Sequence, residues 1–147
     1  MDDIAVVAKA MVAIRRLQTR RTLAGLGARR GQDHDPVITA VVDAVEERQP
    51  CSVGAVAAAL SVDQPRASRL VARAVEAGVV ERRADQADGR RILLVLTESG
   101  RAHAEAVHAF RHTVFAEALA DWTPRRRALF AGMLVDFVDS YAALTEG

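Results

Sequence analysis

Residues 52–97 read SVGAVAAALSVDQPRASRLVARAVEAGVVERRADQADGRRILLVLT. The stretch divides into a short helix, a turn, a second helix and an Arg-rich hairpin. Its second helix, predicted from Asp63 to about Ala77, places Ala67, Leu70, Val71, Ala74 and Val75 on one stripe. That spacing of three and four residues belongs to a helix buried on one side. The rest of its surface carries Gln64, Pro65, Arg66, Ser68, Arg69 and Arg73. Gly78 ends the helix, and two strand-like runs follow, Val79–Ala84 and Arg91–Leu96. Asp88-Gly89 is a tight-turn dipeptide between them. A helix with one apolar face and one face of hydrogen-bond donors fits a DNA major groove. The basic hairpin beside it, with Arg82, Arg83, Arg90 and Arg91, suits phosphates or the minor groove.

Outward from this centre the pattern is helical. Residues 3–26 are predicted to form one helix, with Ile4, Val7, Met11, Ile14 and Gln18 as a seam for another helix. Asp35-Pro36 starts a second helix that runs to about Arg48, with Val37, Ile38, Val41, Val42 and Val45 as its apolar side. Ser52 caps the short third helix, and Asp63 or Ser61 caps the fourth. Thr97 caps a fifth, reaching about Ala120, with Glu98 in its positive first turn. Thr123-Pro124 opens a sixth, in which Phe130, Leu134, Phe137, Val138 and Tyr141 are expected to be buried. The fold class is therefore mainly α with a small β-hairpin wing. A winged helix-turn-helix core at 37–97 is flanked by helical regions at 1–28 and 98–147, together one domain. The terminal stripes need a partner surface, which an intertwined homodimer supplies.

Composition narrows the function. Half of the 147 residues are apolar but only 4% are aromatic, so the core must be Ala, Val and Leu. The net charge is +1, yet residues 64–91 hold seven arginines against four acids. Local clustering of this kind bears more on nucleic-acid contact than net charge does. One cysteine, Cys51, excludes an intrachain disulfide and reads as a small packing residue. No signal-peptide pattern or membrane-length apolar run stands out, so a cytoplasmic protein without a membrane partner is expected. No Ser pairs with a His and an acid in a catalytic pattern, and no Gly-rich phosphate loop is present, so no enzyme is expected. No cofactor is implied. His108 and His112 stand four apart on one helix face, a spacing that lets two imidazoles share a metal, although such pairs also arise by chance on exposed helices.

The phrases SRLVARAVEAGVVER (68–82) and ADQADGRRILLVLTESG (84–100), in this order of elements, resemble the MarR family of bacterial transcription regulators. The specific part is the wing: Asp85, Asp88 and Arg90, a hydrophobic strand, then Leu96-Thr97 and Gly100. The resemblance implies a homodimer of winged helix-turn-helix subunits on double-stranded DNA. It implies a recognition helix at 63–77 in the major groove, and Arg90, oriented by Asp88, in the minor groove. It further implies a repressor released by a small aromatic or phenolic acid. Met11, Arg15, Ile38, Val42, Phe110 and Val114 are the candidate lining of that effector's pocket, apolar groups with one cation for a carboxylate. Gly89 departs from the pattern, standing where Arg is frequent, and residues 25–36 lack the usual apolar lead into the second helix. Two other readings are a metal-responsive regulator using His108 and His112, and a winged-helix module for protein contact alone.

Overall fold

The computed structural model describes residues 2–19, 25, 27 and 34–147. Six helices and one hairpin are named among them: α1 Asp3–Leu17, α2 Pro36–Arg48, α3 Val53–Leu60, α4 Gln64–Glu76, β1 Val80–Ala84, β2 Ile92–Leu96, α5 Glu98–Ala118 and α6 Pro124–Thr145. Side-chain caps fix most starts. Asp2, Asp35, Ser52, Asp63 and Thr123 each accept a bond from a backbone N–H in the first turn, satisfying donors that have no partner within the helix. Proline in the first turn of α2, α4 and α6 needs no such acceptor.

One boundary differs from expectation. The helix read over 3–26 ends at Leu17, where Gln18 leaves helical geometry with ψ 19°. Gln18 and Thr19 offer no apolar side chain to bury, so nothing in them rewards a further turn. The remainder of that expected helix falls mostly outside the described residues.

Chain contacts separate two compact units, Met1–Phe110 and Arg111–Gly147. In the first, α2, α3 and α4 enclose a core with the hairpin. Val41, Val42, Val45, Val56, Val71 and Leu94 are wholly buried there, and no polar side chain is buried among the described residues. The core is aliphatic, as the composition required. Burial of each such Val or Leu is worth about 1.5–3 kcal/mol.

Helix α4 ends in a Schellman motif. Gly78 adopts φ +80°, its N–H reaches the Val75 carbonyl at 3.0 Å, and the Val79 N–H reaches Ala74 at 3.1 Å. The chain turns straight into β1. β1 and β2 pair antiparallel with Val80 opposite Leu96 and Arg82 opposite Leu94. The far edge of β2 is also covered, a feature absent from the sequence reading. Cys51 exchanges both backbone bonds with Leu94, at 3.2 and 2.7 Å. Pro50 has no N–H to donate, and the Leu96 N–H is met by the Gln49 side-chain oxygen at 3.0 Å. The Gln49-Pro50 bond is cis.

The base of the wing is pinned to α5. Thr97 Oγ1 donates to the Gly78 carbonyl at 2.6 Å and accepts from the Gly100 N–H at 3.0 Å. The Thr97 N–H donates to the Val79 carbonyl at 3.1 Å. Gly100 lies so close that a Cβ there would stand 2.0 Å from that same carbonyl oxygen.

In the second unit, Trp122 packs edge-on against Phe130 with centroids 5.2 Å apart, and the Arg126 guanidinium lies 4.1 Å over the Trp122 ring. The expected burial on α6 does not occur within the chain. Phe130, Leu134, Val138 and Tyr141 are exposed, as are Met133 and Leu144, the last at 80%; Phe137 is half-buried. On α1, Ile4, Val7 and Ile14 are exposed too. Among the described residues these side chains stay exposed, which is why the stripes do not produce burial. By length and composition alone α6 could cross a membrane. Asp136 and Asp139 stand mid-helix, where a bilayer would exact about 2.5–3.5 kcal/mol for each.

Candidate nucleic-acid interface

α4 is presented by its buried stripe. Ala67, Leu70, Val71 and Ala74 are buried and Val75 is half-buried, so the remaining faces are open. Gln64, Pro65, Arg66, Ser68, Arg69 and Arg73 are all exposed. The sequence reading thus placed its predicted donors on the free surface of the helix. Successive helical residues turn by about 100°, so Arg66 and Arg73, seven apart, lie within about 20° of each other along one flank. Arg69 stands about 60° from Arg66, further toward solvent.

The helix start is built by the turn before it. Ser61 ends α3 in the left-handed region at φ 54°, and Asp63 Oδ1 accepts from the Arg66 N–H at 2.8 Å. Asp63, not Ser61, is therefore the cap. The Gln64 side-chain oxygen leans back toward α3, 3.5 Å from where a Cβ on Gly54 would stand. Ser52 is half-buried, and its oxygen caps α3 by accepting from Ala55 at 3.1 Å. Its hydroxyl hydrogen is left for another acceptor.

At the wing tip, the turn differs from the expected two-residue one. The Asp85 N–H bonds the Arg91 carbonyl at 2.9 Å, closing a loop over 85–91, and the Arg91 N–H bonds the Asp88 carbonyl at 3.0 Å. Asp88 is the first residue of that inner turn, and Gly89 has no left-handed backbone. The Asp88 side chain does the work assigned to glycine: Oδ1 accepts from the Arg90 N–H at 3.1 Å. Asp88 thereby fixes Arg90 through its backbone. A Cβ on Gly89 would meet nothing within 4 Å.

The arginines are not equivalent. Among the described residues Arg66, Arg69, Arg82 and Arg90 form no ion pair, whereas Arg73 pairs with Asp35 at 2.6 Å, Arg83 with Glu81, and Arg91 with Asp85 at 3.9 Å. Within the wing, Arg83 and Arg91 thus pair with acids of the same hairpin, Arg91 loosely. Such exposed pairs contribute about 0–1 kcal/mol.

The other sequence candidates differ in burial. Val42 is a fully buried core residue, Ile38 packs half-buried beside that core, Met11 and Phe110 are half-buried, and Arg15 is exposed. Val114, half-buried, belongs to the second unit. His108 Nε2 is engaged with Glu46 Oε1 at 2.6 Å, and His112 is exposed. No group of three metal-ligand side chains gathers among the described residues. Cys51 is buried; desolvation raises its thiol above the ordinary range, against the opposing pull of Arg48. Sequence reasoning missed the Asp35–Arg73 pair and a ring contact between His34 and His103, both joining segments far apart in the chain.

Residues 39–91 match the sequence model of the MarR family. The chain has a MarR-family fold. A MarR transcriptional regulator from Methanosarcina mazei superposes with a TM-score of 0.74 at 15% identity, covering 95% of this chain and 99% of that one. A probable transcriptional regulator from Pseudomonas aeruginosa is 27% identical with a TM-score of 0.60, covering 92% and 97%. BpsR from Bordetella bronchiseptica, whose DNA binding is regulated by 6-hydroxynicotinic acid, is 24% identical with a TM-score of 0.51, covering 69% and 77%. No curated protein matches the sequence. Members of the MarR family are transcription regulators, not enzymes, and the matched segment spans α4, β1 and the tip of the hairpin.

Proposed function

We propose that this chain is a sequence-specific, double-stranded DNA-binding transcription regulator of the cytoplasm, acting as a homodimeric repressor on a pseudo-palindromic operator. The observation that carries the reading is the set of ion-pair-free arginines on two adjacent projecting elements: Arg66 and Arg69 on α4, and Arg90 at the wing tip. Gln64 and Arg66, in the first turn of α4, read base edges, with about 1–3 kcal/mol of discrimination for each good bidentate pair. Ser68, Arg69 and Arg73, with Ser52, Arg82, Arg83 and Arg91, hold the backbone, and Pro65 packs beside it. Arg90 enters a narrow minor groove, where A·T-rich sequence concentrates negative potential.

Support for the homodimer comes from the uncovered apolar residues of α1 and of α6, each judged on its own. Two recognition helices on a two-fold axis set half-site centres about 10–10.5 bp apart. The whole chain is read as one domain, with 37–97 as its DNA-binding core. An aromatic or phenolic acid is the proposed effector, in keeping with the 6-hydroxynicotinic acid that regulates the Bordetella protein. Arg15, exposed on α1, is the cation proposed for its carboxylate.

Selection of bound fragments from mixed-sequence duplexes, followed by footprinting, tests the reading. A symmetric site bound by a dimer is expected, with affinity falling steeply as salt rises. Binding that lacks sequence preference and salt dependence would refute it.

A further inference from the structure

The hairpin has two faces. Leu94 and Leu96 of β2 are turned into the core, so Leu93 and Val95 lie on the opposite face, half-buried. There the register sets Arg83 of β1 across from Leu93 and Glu81 across from Val95. The Asp85 N–H bond to the Arg91 carbonyl continues that register beyond Ala84 and brings Asp85 onto the same face. Pro50 stands alongside, because Cys51 is bridged to Leu94. This face carries a cavity of about 700 Å³. Pro50, Leu93 and Val95 give it an apolar lining, and Arg83, Asp85 and Gln86 supply its polar groups. Both the volume and the balance of a few polar groups on an apolar wall suit a small molecule.

Charge decides what such a site would hold. The Arg83 guanidinium is already taken, with Nε and Nη2 each 2.5 Å from Glu81 Oε1. Asp85 is only half engaged. Its Oδ1 accepts from the Ala87 N–H at 2.9 Å. Its Oδ2 has Arg91 Nε at 3.9 Å, beyond hydrogen-bond reach. Yet the Asp85 side chain is only 17% exposed, against 62% for Arg91, so most of its surroundings are protein. No sealed polar side-chain atom lacks a partner among the described residues, so Oδ2 is an open acceptor. An organic anion would have to displace Glu81 from Arg83. A cation finds a carboxylate oxygen without a hydrogen bond and displaces nothing.

We propose that this face of the wing is a binding site for a small organic ammonium, whose N–H donates to Asp85 Oδ2 while its apolar body lies on Pro50, Leu93 and Val95. A charge-assisted bond of this kind is roughly twice as strong as a neutral one. The site shares no residue with the proposed base-reading set or with the proposed acid pocket, and it stands whether or not the chain binds DNA.

Amide-detected NMR of the full chain tests it with three matched probes: 2-phenylethylammonium, 2-phenylethanol and phenylacetate. The ammonium should give saturable shifts at the amides of Asp85, Ala87, Leu93 and Val95, with a Kd of about 1 mM, as for a fragment-sized ligand. The alcohol should bind there roughly tenfold more weakly, having no charge to offer Asp85. The acid should leave these amides unmoved. Asp85→Asn keeps an oxygen for the Ala87 N–H, and should bring the ammonium down to the level of the alcohol. Leu93→Lys leaves Asp85 and its loop in place, removes apolar lining and adds a cation, so it should abolish binding; it carries the test if Asp85→Asn disturbs the loop. An ammonium that shifts no amide of this face would overturn the proposal. So would equal ammonium affinity in wild type and Asp85→Asn, or a Leu93→Lys protein that binds as the wild type does. Phenylacetate bound here in preference, and lost in Arg83→Gln, would overturn it in favour of an anion site. Failure of the wild type to bind any duplex would count against the DNA reading alone.

Discussion

Gly100→Ala replaces one hydrogen with a methyl group where α5 begins. The added Cβ would stand 2.0 Å from the Val79 carbonyl oxygen and 2.9 Å from its carbon. A relaxed carbon–oxygen contact needs about 3.3 Å, so helix and strand must part by about 1.3 Å. The obstacle is backbone, and it is held: the same oxygen accepts from Thr97 N, and Thr97 Oγ1 donates to Gly78 next to it. Overpacking costs about 1–3 kcal/mol, and a weakened partly buried hydrogen bond adds about 1 kcal/mol. Alanine returns up to about 1 kcal/mol through helix propensity. The net expectation is a loss of about 2–3 kcal/mol, which for a chain of this length is roughly 5–10 °C in Tm. Far-UV circular dichroism with thermal and urea unfolding measures it. A variant at least as stable as the wild type would refute the reasoning, because α5 would then have to slide over Val79 freely.

Other substitutions separate local effects from DNA contact. Gly89→Arg should leave Tm unchanged, since the site is open and not left-handed, and should raise duplex affinity through one more wing cation; a fall in Tm beyond about 1 kcal/mol equivalent would contradict the turn geometry. Ser61→Gly should stabilise by about 0.5–1 kcal/mol by relieving a left-handed serine, read from urea midpoints. Arg66→Ala should relax base preference by about 1–3 kcal/mol at one position, seen as a flattened selection logo. His103 favours its neutral form in the fold, so the unfolded chain binds more protons; its stabilising contribution is intact above about pH 6.5 and lost as pH falls through its lowered pKa. The Tm of the wild type should accordingly drop more on acidification than that of His103→Gln, and parallel curves would discount the effect.

What the sequence disclosed was local. Caps at Asp35, Ser52, Asp63, Thr97 and Thr123 are decided by residues three positions away or fewer; each was expected, Asp63 as one of two candidates with Ser61, and each is found. The stripe on α4 follows from period alone. Contacts between distant segments left no such trace: Asp35 meets Arg73 across 38 positions, and Gln49 meets Leu96 across 47. Periodicity also identified the apolar side of α6 without telling what would cover it, because a stripe specifies a need for a surface and not which chain supplies it. At the wing tip, Asp88-Gly89 was read as a dipeptide turn, while the carboxylate of Asp88 settled the loop by bonding forward to Arg90. The candidate pocket residues are hard to judge from sequence for a related reason. An apolar residue such as Val42 looks the same in a sequence whether it lines a cavity or fills a core.

The aliphatic core has an optical consequence. The single tryptophan and single tyrosine, Trp122 and Tyr141, both lie in the segment from Arg111 to Gly147. Intrinsic fluorescence is therefore a local reporter of that segment, with Arg126 stacked on the emitting ring. The wing and α4 are spectroscopically dark. Loss of their packing would leave tryptophan emission unmoved, so an indole introduced beside the hairpin, at exposed Ile92 for example, would give the Met1–Phe110 unit a signal of its own.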